Sequence, residues 1–166
     1  MKTQPEPQQD IDQVSAHLGA GITLFQHLII TLKNERAHLE ANDHTSFHES
    51  TQQKQQCLLL VSQHEAALNQ LLESLNIEQG NKTIDLLINR FDPEKSGSFT
   101  QTAQLYRSLL GQCDDLNTIN GRFIQRSQTN ANRMLDLLKG SIEKNQTYTR
   151  LGKTRSEGGK HPIAKA

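Results

Sequence analysis

Aromatic residues are scarce in this chain. It has no tryptophan, two tyrosines and five phenylalanines in 166 residues, and only 34% of it is hydrophobic. That is too little for a thick globular centre, but enough for the narrow apolar seam that long helices bury when they lie side by side. Cysteine is scarce as well. Cys57 and Cys113 stand apart with no CxxC spacing, which gives no disulfide framework and suits reduced, packed thiols in a cytosolic protein. Neither sign of charge is in excess, since 18 basic residues offset 18 acidic ones. A chain so balanced has no general attraction to nucleic acid or to an anionic membrane. Long hydrophobic runs are missing too. Residues 1–10 are polar, contain Pro5 and Pro7, and have no apolar stretch of the signal-peptide kind. The most apolar early stretch, 22–32, is broken by Gln26 and His27 and is too short to span a bilayer, so stable membrane insertion is not expected.

What is present is helical periodicity. Over 10–40, steps of three and four meet Ile11, Val14, Leu18, Gly21, Phe25, Leu28, Leu32, Glu35 and Leu39, a seam kept for four heptads. Residues 41–44 interrupt it as a turn. Ser46 and Glu49 then have the spacing of a capping box. The second seam is Phe47, Thr51, Lys54, Leu58, Val61, Glu65, Leu68, Leu72 and Leu75, weak at first and strong after Leu58. Residues 76–82, with Gly80-Asn81, end it. A short helix is expected over 83–91, stopped at Asp92-Pro93. The third long segment runs over 99–139 through Phe99, Ala103, Tyr106, Leu110, Cys113, Asn117, Asn120, Ile124, Ser127, Ala131, Met134 and Leu138, and Gly140 suits the residue just past its end. No alternation of period two persists.

The expected fold is all-α: an elongated antiparallel helical hairpin with a third long helix against it and a short helix between, joined by coiled-coil-like seams. A flexible N-terminus over 1–9, a helical domain over 10–140 and a basic, mostly disordered tail over 141–166 complete the organisation. From Lys144 onward that tail carries six basic residues against one acid, Glu157. The expected core includes Leu18, Phe25, Leu28, Leu58, Val61, Leu68, Leu72, Leu110 and Ile124. The same seams also suit pairing between two chains as a homodimer.

Motifs of catalysis and metal binding are incomplete. Asp92, Glu94, Ser96 and Gly97 fall at EF-hand positions one, three, five and six, but position twelve is Ala103, where a bidentate glutamate belongs. His44 and His48 share a helix face without a third ligand, and His64-Glu65 begins a zincin motif whose second histidine position is Leu68. There is no nucleophile elbow and no glycine-rich phosphate loop. The basic tail has one aromatic, Tyr148, too few for stacking on bases. The reading is a binding protein with no cofactor and no metal, not an enzyme.

The unusual stretch is 117–124, where two asparagines and Gly121 interrupt a strong helical period. Gly121 costs about 1 kcal/mol relative to alanine there. Asn117-Thr118-Ile119-Asn120-Gly121-Arg122-Phe123-Ile124 resembles the N-x-x-N-G-x-x-I stretch of FlgN-type flagellar export chaperones. Tyr148-Thr149-Arg150-Leu151-Gly152-Lys153 resembles that family's Y-x-x-x-G-[KR] element, and Glu35 to Glu40, Lys54 and the leucines at 58–60 resemble its first hairpin. Phe123 departs from the aliphatic residue more usual in the family. The resemblance implies a cytoplasmic protein that binds the C-terminal helical region of the hook-associated, hook–filament junction proteins. It would keep them unassembled and deliver them to the flagellar export gate. On that basis the client-binding residues are expected to be Asn120, Gly121, Phe123, Ile124, Met134, Leu135, Leu138 and Tyr148. A structural or adaptor coiled-coil dimer and a degenerate Ca²⁺ sensor are the alternatives from other classes.

Overall fold

The computed structural model describes residues 7–145, with side chains over 8–139. The order of elements is α1 (Pro7–Glu40), α2 (His44–Ser74), α3 (Thr83–Phe91) and α4 (Ser98–Asn145), and no strand occurs among the described residues. The chain is an all-α bundle. It divides into two compact units, one ending at Phe123 and one beginning at Ile124. Most of the tail expected from 141 lies outside the described residues.

The helix ends follow from local chemistry. Pro7 opens α1 in the first turn, where its missing N–H is no loss. The ends of α1 and α2 are alike. Asn42 and Asn76 take the left-handed conformation at φ 54 and 55. The following residue then donates back to the last turn, Asp43 N–H to His38 O at 3.0 Å and Ile77 N–H to Leu72 O at 2.9 Å. So Asn76, the first residue of the expected stop over 76–82, ends α2, and Gly80-Asn81 lies beyond the helix end. Asp43 opens α2 three residues ahead of the expected cap at Ser46, accepting from the Ser46 N–H at 3.1 Å and the Ser46 hydroxyl at 2.7 Å. A carboxylate one turn upstream offers a better acceptor than the serine. The hydroxyl of Ser46, foremost, holds the Asp43 carboxyl below its usual range.

The EF-hand-like loop is a helix start. Asp92 Oδ2 accepts from the Thr100 hydroxyl at 2.6 Å and the Gly97 N–H at 2.8 Å, and these bonds, Thr100 first, lower the Asp92 pKa. Gly97 is needed for room, since a Cβ there would lie 2.8 Å from that oxygen. Ala103 is fully buried core. At its far end α4 runs through Gly140 to Asn145 rather than ending at Gly140; strong helix formers on both sides offset one glycine.

Within the first unit α1 and α2 form an antiparallel hairpin, with His17 opposite His64 and Lys54 opposite Glu35. The α4 residues up to Asn120 run alongside α1 in the same direction. Tyr106 meets Phe25 edge-on at 5.0 Å, the Cys113 thiol donates to Phe25 O at 3.5 Å, and Asn120 reaches Leu32. Both cysteines are free. The α3 helix closes one end with Leu87 and Ile88 buried, and Arg90 donates to the Leu75 carbonyl at 2.7 Å. Leu18, Phe25, Leu28, Val61, Leu68 and Leu72 are buried as expected. Three expected core residues are not. Leu58 is 41% exposed, Leu110 is 40% exposed, and Ile124 is half-buried. In α4 the seam steps from Tyr106 to Leu109 to Cys113, so Leu109 takes the place expected for Leu110.

The stretch Gln8–Glu40 contains an 18-residue window with mean hydropathy 1.3, long and apolar enough to cross a membrane by those measures alone. That differs from the expectation drawn from 22–32. The large side chains that raise its hydropathy, among them Leu18, Phe25, Leu28 and Leu32, are packed in the helical core.

Two predictions test this packing. At Gly21 an added Cβ would collide with the Tyr106 ring and lie 2.7 Å from His64 Nε2, whereas at Gly111 it would meet nothing within 4 Å. Gly21→Ala is therefore expected to lower the urea midpoint, and Gly111→Ala to raise stability by about 0.5–1 kcal/mol through helix propensity. The second concerns pH. Burial, with His17 beside it, depresses the His64 pKa below its usual 6.5, and Nε2 has no hydrogen-bond partner among the described residues. The unfolded chain then binds this proton more readily than the folded one. The His64 contribution is present above the ordinary histidine range and is lost as pH falls through the depressed folded value. His64→Phe, which sacrifices no hydrogen bond at Nε2, is expected to flatten the fall in melting temperature on acidification.

Candidate functional site

The expected site residues fall in both units. In the first, Asn120 is 1% exposed and points into the bundle. Its Nδ2 donates to Leu32 O at 2.8 Å and to Glu35 Oε2 at 2.9 Å. Both facing groups are acceptors, which fixes the orientation of the amide. The Glu35 side chain is completely buried, and its other oxygen accepts from Lys54 Nζ at 2.6 Å. Lys54 keeps 16% of its side chain exposed, so the cation of the pair is less buried than its carboxylate. Three residues that the sequence scatters over α1, α2 and α4 thus meet in one polar junction. Asn120 Oδ1 has no donor among the described residues.

Gly121 is exposed, and an added Cβ would meet nothing within 4 Å. No helix crossing inside this unit requires it. Phe123 is half-buried, with the Arg36 guanidinium 4.1 Å from its ring centroid. That contact shields one face of the aromatic and holds a cation over it.

In the second unit Ile124 is half-buried. Met134, Leu135 and Leu138 are exposed by 68%, 52% and 61%. At about 100° per residue these three lie within an arc of roughly 100° on one helix face. Leu137, which the sequence reading passed over, flanks them at 74% exposure. The signal for it was there, in the pair Leu137-Leu138; a strict three-and-four count skipped it. Tyr148 lies outside the described residues.

Among the described residues no group of three or more His, Cys, Asp or Glu is placed to hold a metal ion. Chemically the arrangement offers a polar junction between helices in one unit and an exposed apolar stripe in the other. Neither contains a nucleophile beside a base. Burial and then the neighbouring Glu65 raise the Tyr106 phenol to about 12, and burial raises the Cys113 thiol, so both stay protonated at neutral pH.

A family model described as FlgN protein matches residues 10–156. No curated protein and no solved structure shows a significant match to the chain.

The junction makes a graded prediction, read by urea unfolding followed by helical ellipticity. Asn120→Ala removes an amide bonded to a buried carboxylate and is expected to cost about 1.5–3 kcal/mol. Lys54→Met leaves the carboxylate buried without its cation and is expected to cost more, about 3–5 kcal/mol. Adding Glu35→Gln to Lys54→Met should recover part of that loss, because the uncompensated charge is gone. If the double variant is the weaker of the two, the charge pair is not what matters there.

Proposed function

The chain belongs to the FlgN family of flagellar chaperones, and from that premise we propose that it binds the C-terminal helical region of hook-associated proteins in the cytoplasm, keeps them from assembling early and hands them to the flagellar export gate. The family is one of chaperones, not enzymes. The observation that carries the reading is the stripe of Met134, Leu135 and Leu138, flanked by Leu137, exposed on one helix. A client helix whose apolar face would otherwise join a filament is masked when it lies against such a stripe. Masking of this kind needs no nucleotide and no covalent step.

The expected site residues divide by role in this reading. Met134, Leu135 and Leu138 receive the client. Exposed Gly121, free of neighbours, allows close approach of a second helix. Phe123 and Ile124, each half-buried, lie at the start of the receiving segment. Asn120 acts from inside, by fixing the base of that helix on Glu35 and Leu32. Tyr148, the last of the expected client-binding residues, lies outside the described residues.

The same stripe also favours a second reading, an adaptor that dimerises through α4. Sedimentation at rising concentration, with and without client peptide, separates the two. A client-binding monomer stays monomeric until peptide is added, whereas a coiled-coil dimer forms by itself.

The direct test pairs two sets of substitutions against a C-terminal peptide of a hook-associated protein. Leu135→Ala with Leu138→Ala is expected to weaken binding about tenfold or more and leave the unfolding midpoint nearly unchanged. Leu28→Ala, in the buried hairpin, is expected to cost about 2–5 kcal/mol of stability and to leave the affinity of the folded fraction intact. If both sets lower binding only in proportion to stability, the stripe is not the client surface.

A further inference from the structure

A groove of about 280 Å³ opens on the first unit between α2 and α4. Its floor is the core face of α1, with Phe25 among its residues, and Cys113 of α4 closes it from the side. Leu58 on α2 and Leu110 on α4 form its walls and stand 41% and 40% exposed. Both occupy positions where the helical period of the sequence calls for core. They are seam residues with no seam partner, facing each other across a gap. The lining spans two turns of each helix, 58–65 on α2 and 110–117 on α4, about 10 Å at helical rise. The cavity is smaller than a drug-sized pocket and suits a pair of side chains projecting from one helix.

The rim is acidic. Glu65 and Asp114 line the groove, Asp115 follows directly, and no lining residue is basic. Neither lining acid is in an ion pair among the described residues. A second copy of this chain laid face to face would set acid against acid. A cationic helix would set lysine or arginine against both.

We propose that this groove is a second docking surface, which takes a short amphipathic helix of a partner protein between α2 and α4. Two apolar side chains one turn apart enter between Leu58 and Leu110, and flanking Lys or Arg residues pair with Glu65 and Asp114. The site is separate from the α4 stripe and does not depend on its role.

The test uses two synthetic amphipathic helical peptides, one of leucine and lysine and one of leucine and glutamate, with the full chain labelled for amide NMR. The lysine peptide is expected to shift amides at 58–65 and 110–117. The double variant Glu65→Lys with Asp114→Lys is expected to weaken it about tenfold and to strengthen the glutamate peptide. Both acids are exposed, so this variant keeps its helical signal; Leu110→Gln, also at an exposed position, gives an independent loss of binding. Leu135→Ser with Leu138→Ser should leave these shifts in place, which separates this site from the client stripe. The proposal is overturned if the shifts are confined to 134–138, if charge reversal leaves both affinities unchanged, or if the groove residues shift with protein concentration alone as a dimer forms.

Discussion

The carboxylate of Glu35, with no solvent exposure, is the constraint from which the helical arrangement of the first unit follows. A buried carboxylate costs several kcal/mol in lost hydration unless it is paired and hydrogen-bonded. Here the cation comes from Lys54 on α2 at 2.6 Å and the amide from Asn120 on α4 at 2.9 Å. Apolar seams alone tolerate sliding, because one leucine fills a gap much as another does. A slip of any one helix by a turn, about 5.4 Å, would take a partner away from Glu35 while leaving most apolar contacts replaceable. The junction therefore selects one register among several that the seams would accept. Gly21 adds a second lock further along, where the Tyr106 and His64 rings occupy the space a Cβ would need.

Asn120 is the last buried residue of α4 among those described. Up to that point the helix buries Phe99, Ala103, Tyr106, Leu109 and Cys113 in its own core and leaves Leu105, Leu110 and Ile119 exposed. From Gln125 to Lys139 every side chain is exposed, including large aliphatic ones. One helix thus carries a half packed in the bundle of the first unit and a half whose described side chains are exposed.

Much of the fold was legible because helical periodicity and turn chemistry are local. The seam of α1, the α2 seam at Val61, Leu68 and Leu72, the short α3 and the stop at Asp92-Pro93 could be read directly. Errors arose where two local signals competed. Asp43 displaced Ser46 as the cap because its carboxylate accepts from both the Ser46 N–H and the Ser46 hydroxyl, which starts the helix a turn earlier. Leu109 displaced Leu110 because adjacent leucines satisfy the period equally well, and only the approach of α1 chooses between them. Periodicity singled out Met134, Leu135 and Leu138 along their helix, and the structure leaves all three exposed. Asn120 was noticed for the right oddity, a polar residue in an apolar seam, but its inward role could not be seen from one helix alone.

By itself the sequence determined an all-helical chain with three long seams, and the resemblance at 117–124 and 148–153 pointed to a chaperone of the FlgN type. Among the polar residues it marked in the seams, without explaining them, were Glu35, Lys54 and Asn120. Only the tertiary structure decided that these three are one feature. Each is an interruption when read along its own helix, and the pairing that makes burial of the charge tolerable exists across helices separated by 19 and 85 positions. The exposure of Leu58 and Leu110 was decided the same way. Periodicity says which face of a helix is apolar, but whether a neighbour covers that face depends on how many helices meet there.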